Sequence, residues 1–204
     1  MTAIADCPDP GLKSLQMLEK TLLTSRCQQQ VRSILFAGCS GTTEKEKNMN
    51  KVNHIPAGFQ PITPYLIVKG AAEAIRFYQQ AFCAIEVGRI TTPDGVIGHA
   101  ELKIDEARLM LSEEMPAWKN KSPRTLGGTS VGIVLYVPDV DTTFQRALDA
   151  GATQVEPLQN QFYGDRAGML TDPFGHNWYI MTHIEDVSFP ETQRRSDAMF
   201  VAQH

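Results

Sequence analysis

TPYLIVKGAAEAIRFYQQAF, from Thr63 to Phe82, and GIVLYVPDVDTTFQRALDAG, from Gly132 to Gly151, share one pattern: a short apolar strand, a turn, then an amphipathic helix. Val68 and Val137 match at a separation of 69 residues. The same separation carried through the later strands sets His99 opposite Gly168 and Met110 opposite Tyr179. Self-similarity at a fixed spacing marks a supersecondary unit used twice, and two curved half-sheets can close around a cup.

Each copy can be read in detail. In the first helix, which begins at Lys69 or Gly70, Glu73 lies in the opening turn near the positive end of the dipole, and Ile75, Tyr78 and Phe82 recur on one face. In the second, Asp139 suits an N-cap, Phe144, Ala147 and Leu148 form the apolar stripe, and Gly151 stands where a left-handed C-cap belongs. Three stretches of strand character follow each helix: Ile85 to Thr92, His99 to Ile104 and Arg108 to Leu111, then Gln154 to Leu158, Gly168 to Thr171 and Asn177 to Met181. Turns are supplied by PDG at Pro93 to Gly95, YGD at Tyr163 to Asp165 and DPFG at Asp172 to Gly175. The expected fold class is α+β: two βαβββ repeats, about 62–115 and 131–183, forming a curved mixed sheet cup with helices outside.

Composition bounds the function. A chain of 204 residues, 42% hydrophobic and 21% charged, has ordinary soluble composition and length for one core or two linked subdomains. Its net charge of −4 argues against nucleic acid as a partner, because that role calls for a basic face. No apolar run reaches the roughly 18 residues of a membrane helix, so no membrane partner is expected. Cys7, Cys27, Cys39 and Cys83 form neither a CxxC pattern nor a disulfide framework, which points to reduced thiols and a cytoplasmic location.

Residues 1–55 read as a disordered or weakly helical extension. Leu15, Leu18, Leu22 and Leu23 could form a short amphipathic helix, but GCSGTTEKEKNMNKVN at Gly38 to Asn53 has almost nothing to bury. SILFAGCS at Ser33 to Ser40 is a faint match to a lipoprotein cleavage site, and Met49 is an alternative start. The domain then spans 56–187, and 188–204 is a C-terminal tail.

DPFGHNWYI before the last strand, FYQQAF in the first helix, GHAELKID, LMLSEE, YGDRAGMLTDPFGHNWYI and the trailing THIEDV resemble the vicinal oxygen chelate superfamily. That group takes in glyoxalase I, extradiol dioxygenases, fosfomycin-resistance and bleomycin-binding proteins. The finer likeness, over about Phe59 to Val187, is to the PhnB-like branch. Resemblance fixes fold better than activity, because this fold hosts unrelated functions.

Metal-dependent members place His, Gln or Glu at four symmetry-related positions, one on each opening and each closing strand. Carried over, the resemblance puts Thr63, Met110, Gly132 and Tyr179 there. Glycine has no side chain, thioether is soft, and neutral hydroxyls bind divalent cations weakly, so neither a metal nor another cofactor is expected, a divalent ion being the minor alternative.

Strand alternation decides what faces the cup. Leu66 and Val68, with Leu135 and Val137, should pack under the helices, leaving Tyr65 and Tyr136 on the cup side with Tyr179 and Arg108. His99, Glu101 and Lys103 alternate with Ala100, Leu102 and Ile104. The expected ligand-binding set is therefore Tyr65, His99, Glu101, Arg108, Tyr136 and Tyr179, although half-exposed sheets alternate in this way without function. His99 and Glu101 are also the catalytic candidates, a base with an orienting carboxylate. His176 beside DPFG suits a backbone bond. His183, Glu185 and Asp186 suit a pin on the chain's exit better than a chelate. Tyr163, Asp165 and Arg166 suit a rim turn, and Glu113 to Gly128 a lid with Trp118 as an apolar contact.

Two functions follow. One is a metal-independent small-molecule-binding protein that sequesters an organic ligand; the alternative is a lyase, isomerase or dioxygenase using His99 and Glu101, and whether the protein is an enzyme stays open. A homodimer is expected from the resemblance.

Overall fold

The computed structural model describes residues 52–202. The leucine-containing segment, the Cys39 motif and Met49 lie outside the described residues. Two units follow one another with the same order of elements. The first comprises β1 (Tyr65–Val68), α1 (Ala71–Phe82), β2 (Ile85–Thr91), β3 (Ile97–Ile104) and β4 (Ala107–Glu113). After a 3-10 turn at Pro116–Trp118 and the short α2 (Pro123–Leu126), the second comprises β5 (Gly132–Tyr136), α3 (Val140–Asp149), β6 (Thr153–Asn160), β7 (Asp165–Thr171) and β8 (Asn177–His183). A closing helix, α4 (Phe189–Ala202), occupies the segment read as a tail.

Each unit is a four-stranded mixed sheet, ordered β1-β4-β3-β2 and β5-β8-β7-β6. The opening strand pairs in parallel with the closing strand, and the other pairings are antiparallel. No ladder joins β1 to β5, so each of these strands is a sheet edge. The register corrects one sequence alignment. Glu101 pairs with Met110 and Met169 with Tyr179, so β3 and β7 correspond at one residue less than the opening strands do, and His99 answers Ala167, not Gly168. The cause is turn length: Ile104 and Ala107 close a two-residue turn, whereas Thr171 and Asn177 enclose five residues.

The helix starts explain why strand passes so quickly into helix. Gly70, at φ 103°, turns the chain into α1 in a region that disfavours side chains. The Glu113 carboxylate then accepts the Gly70 N–H at 2.9 Å and the Ala71 N–H at 2.6 Å, placing a negative group at the positive helix end. In the second unit Thr182, which follows Glu113 by the same 69 residues, does this with a hydroxyl: it accepts the Val140 N–H at 2.9 Å and donates to the Val137 carbonyl at 2.7 Å. Asp139 caps α3 by accepting the Thr142 N–H at 3.0 Å, and Gly151 past its end has φ 107°.

One core unites the units. Leu66, Val68, Ile75, Tyr78, Phe82, Leu102 and Leu111 from the first are buried with Phe144, Leu170, Trp178 and Ile180 from the second. At its centre stands the Asp172 carboxylate. Its Oδ2 accepts from the Tyr78 hydroxyl at 2.7 Å and the Trp178 indole at 3.0 Å, and its Oδ1 accepts from the backbone N–H groups of Phe174 and His176, both at 2.9 Å. Burial, then the charge of Asp172, pushes the Tyr78 phenol well above its ordinary pKa, so it remains a donor. His176 adds a second tie by donating Nε2–H to the Ile67 carbonyl at 3.1 Å.

Among the described residues no helix is long and apolar enough to cross a membrane. The reading of reduced thiols fails at Cys83, which is disulfide-bonded.

Tyr78→Phe deletes one of four donors to a buried carboxylate and leaves the ring packing intact. It should cost about 1.5–3 kcal/mol, measured as a lower midpoint in urea unfolding; an unchanged midpoint would show that Asp172 does not join the units.

Candidate functional site

The six residues expected to bind a ligand separate onto two sheet faces. Tyr65, His99, Glu101 and Arg108 come together on the first sheet. Because β4 lies between β1 and β3, the Tyr65–His99 contact bridges across β4. The Tyr65 hydroxyl meets His99 Nδ1 at 3.3 Å, with ring centroids 5.7 Å apart. His99 Nε2 lies 3.5 Å from Glu101 Oε1, and Glu101 Oε2 lies 3.6 Å from Arg108 Nη1. A proton on Nε2, with Nδ1 accepting from Tyr65, satisfies both His99 contacts. The segment before β1 folds over Arg108: its Nε donates to the Gly58 carbonyl at 3.3 Å and its guanidinium carbon stands 5.3 Å from the centre of the Phe59 ring.

Tyr136 and Tyr179 lie on the second sheet. Among the described residues no hydrogen bond, ion pair or ring contact links them to the first set. Tyr179 lies over Gly132, where a Cβ would clash with its ring. Thus Gly132 leaves the space that the Tyr179 ring fills.

Tyr136, expected in the ligand-binding set, belongs instead to a cluster with Asp165, expected in a rim turn, and His183, expected at the chain exit. Its hydroxyl donates to Asp165 Oδ2 at 2.9 Å, and His183 Nδ1 meets Asp165 Oδ1 at 2.7 Å. Asp165 is 4% exposed. His183 Nε2 reaches Asp186 Oδ1 at 3.1 Å, so both ring nitrogens face carboxylates and both donate. The hydrogen bond to Asp165, followed by that to Asp186, raises the His183 pKa, while the bond to Asp165 raises that of Tyr136. YGD was read as turn chemistry, but Asp165 begins β7 and pairs with His183 in the ladder. Arg166, its neighbour, points to the helix side and pairs with Asp141 at 2.6 Å.

Two other expectations are resolved by geometry. The Glu113 to Gly128 stretch is pinned: Glu114 accepts from the Ser122 N–H at 2.7 Å and the Thr125 hydroxyl at 2.8 Å. Trp118 packs on Gly98, where a Cβ would meet its ring at 3.1 Å. This stretch forms one wall of a groove of about 680 Å³ between the β1 and β5 edges, lined by Tyr65, Ile67, Leu126, Val131, Val134 and His176 among others. Only Tyr65 of the expected set lines it, so this groove and the polar clusters are separate features.

The donor set does not suit the superfamily's metal. Thr63 uses its hydroxyl on the Gln60 carbonyl at 3.2 Å, Gly132 offers nothing, and Met110 and Tyr179 bring soft or neutral donors. Among the described residues no three His, Cys, Asp or Glu side chains are grouped to hold an ion.

His183 supplies a test by pH. A raised folded-state pKa means that its contribution is fully present below the ordinary value near 6.5 and fades as pH rises through the folded value. Melting temperature should therefore fall across a window beginning just above pH 6.5, and His183→Gln should flatten that fall; an identical profile in the variant would contradict the assignment.

Comparison with known proteins accords with this architecture. Residues 51–180 match the family model of the Glyoxalase/Bleomycin resistance protein/Dioxygenase superfamily. An uncharacterized protein of Mycobacterium bovis is 47% identical over 135 residues, covering 65% of this chain and 89% of that protein. The crystal structure of TioX from Micromonospora sp. ML1 aligns at a TM-score of 0.50 with 27% identity, covering 60% of this chain and 98% of TioX. A Pseudomonas aeruginosa protein aligns at 0.50 with 26% identity over 61% of this chain and 98% of its own. The chain belongs to the Glyoxalase/Bleomycin resistance protein/Dioxygenase superfamily.

Proposed function

We propose that the protein is a metal-independent binder of a small organic molecule, of the superfamily's PhnB-like branch, which sequesters its ligand. The observation that carries the reading is Tyr179 lying over Gly132. One of the superfamily's metal positions is empty of donor atoms so that an aromatic ring can lie there, and aromatic walls with a few polar groups suit an organic ligand. The first sheet supplies the polar groups: Tyr65, His99 and Glu101 are partly accessible, and Arg108 stands behind Glu101. A homodimer belongs to the same proposal. Support for the dimer comes from apolar groups left open on both cup faces, with Ile90 67% and Val134 51% exposed.

The second reading is an enzyme, a lyase, isomerase or dioxygenase, favoured by the His99–Glu101 pair at 3.5 Å. Here His99 would accept a proton while Glu101 held the ring in place.

Native mass spectrometry of the purified full chain separates these readings. The binding reading expects a species at twice the 22.6 kDa chain mass carrying a small organic molecule that denaturation releases unaltered, with retention weakened in His99→Ala. Bare chain throughout would contradict sequestration. Conversion of the retained molecule, abolished in a folded His99→Ala, would establish the enzyme.

A further inference from the structure

Ser112 lies on the cup face of β4, since its neighbours Leu111 and Leu109 point into the core and Arg108 and Met110 share its side. It is 0% exposed, and its hydroxyl has no hydrogen-bond partner among the described residues. A buried hydroxyl is a poor choice for structure alone, because folding removes it from water without return. Valine or alanine would fill such a place at less cost. Ser112 pairs with Ile67 on β1, and stands one residue beyond the Leu111–Ala100 pair, opposite His99 on β3. The Tyr65–His99 bridge crosses β4 beside it, between Met110 and Ser112.

We propose that Ser112 is the concealed floor of the first cup, and that the ligand is a flat aromatic molecule carrying a hydroxyl or carbonyl oxygen, which parts Tyr65 from His99 and takes the Ser112 hydroxyl as its partner. This rests on the binding reading above and names the ligand class for that site. Three features select the class. Tyr65 and His99 present two ring faces, tilted by 32°, which an inserted aromatic plate could contact in place of each other. Ile67 and Met110 flank the floor with apolar surface on the same face. The hydroxyl both donates and accepts, so it pairs equally with a phenol or a ketone. The bridge is a light closure, because the Tyr65–His99 bond of 3.3 Å is long for a hydroxyl and no second hydrogen bond reinforces it. In this arrangement Ser112 is a binding residue, reached only in the liganded state.

The test pairs two measurements on the full chain and on Ser112→Ala, which nearly keeps side-chain volume, with Ser112→Cys as the variant that keeps a weak donor. First, melting without ligand: removing an unpartnered buried hydroxyl should leave Ser112→Ala about 2–4 °C more stable than the parent. A lower melting temperature in both variants would overturn the proposal, because the hydroxyl would then be holding the fold, for example through a fixed buried water. Second, calorimetric titration with 4-hydroxyacetophenone, which carries both kinds of oxygen on one ring. The parent should bind it, and Ser112→Ala should bind about three- to tenfold more weakly. Equal affinity in parent and variant would remove Ser112 from the site while leaving the binding reading standing. A parent that binds none of the probe would overturn the ligand class.

Discussion

At the centre of the core that joins the two units stands one buried carboxylate on which their packing depends. Asp172 sits in the β7–β8 turn of the second unit, yet its side chain accepts the phenol of Tyr78 from the first unit's helix. A carboxylate removed from water is costly unless its lone pairs are met, and here the four donors come from one turn, one strand and one distant helix. The turn cannot shift without breaking its own backbone bonds, and the helix cannot shift without exposing the charge. Around that point the aromatic rings of Phe77, Tyr78, Phe82, Phe174 and Trp178 pack at centroid distances between 4.7 and 6.3 Å. The placement of β1 beside the second unit, reinforced by His176 on the Ile67 carbonyl, follows from this tie.

Within that frame the duplicated units keep the same mechanics and diverge in chemistry. The last strand of each caps the first helix of its own unit, but with a carboxylate at Glu113 and a hydroxyl at Thr182. The cup faces diverge further. The first carries His99, Glu101, Lys103 and Arg108, a polar surface with cations. The second has buried Met169 and Met181 on its face, tyrosines above, and one buried acid held by Tyr136 and His183. The two faces carry different donor sets, which suits a pocket that needs shape and hydrogen bonding more than a shared ion.

The fold was legible in the sequence because its signals are local. Strand alternation placed Leu66, Val68, Trp178 and Ile180 in the core, and Asp139 and Gly151 bounded α3 where their chemistry requires. The site was legible only in part. Tyr65, His99, Glu101 and Arg108 were found because they alternate along adjacent strands, and period two survives folding. Tyr136 with Asp165 and His183 was missed as a unit, since its members come from three strands and Asp165 sits in a Gly-Asp sequence that reads as a turn. Strand alternation puts Ser112 on the cup face with Arg108 and Met110 but does not single it out, because a small hydroxyl beside an apolar run is ordinary in sequence and becomes informative only when its neighbours are known to offer no partner. The slip between His99 and Gly168 arose because a fixed offset cannot register a change in turn length.

We propose that the superfamily's metal positions have been given over to binding an organic ligand. Elemental analysis of the purified full chain, with melting curves in added nickel, zinc, manganese and iron, tests it most directly. The claim predicts no stoichiometric ion and no shift with any of the four. One ion held per chain, or a rise of several degrees with one metal, would contradict it.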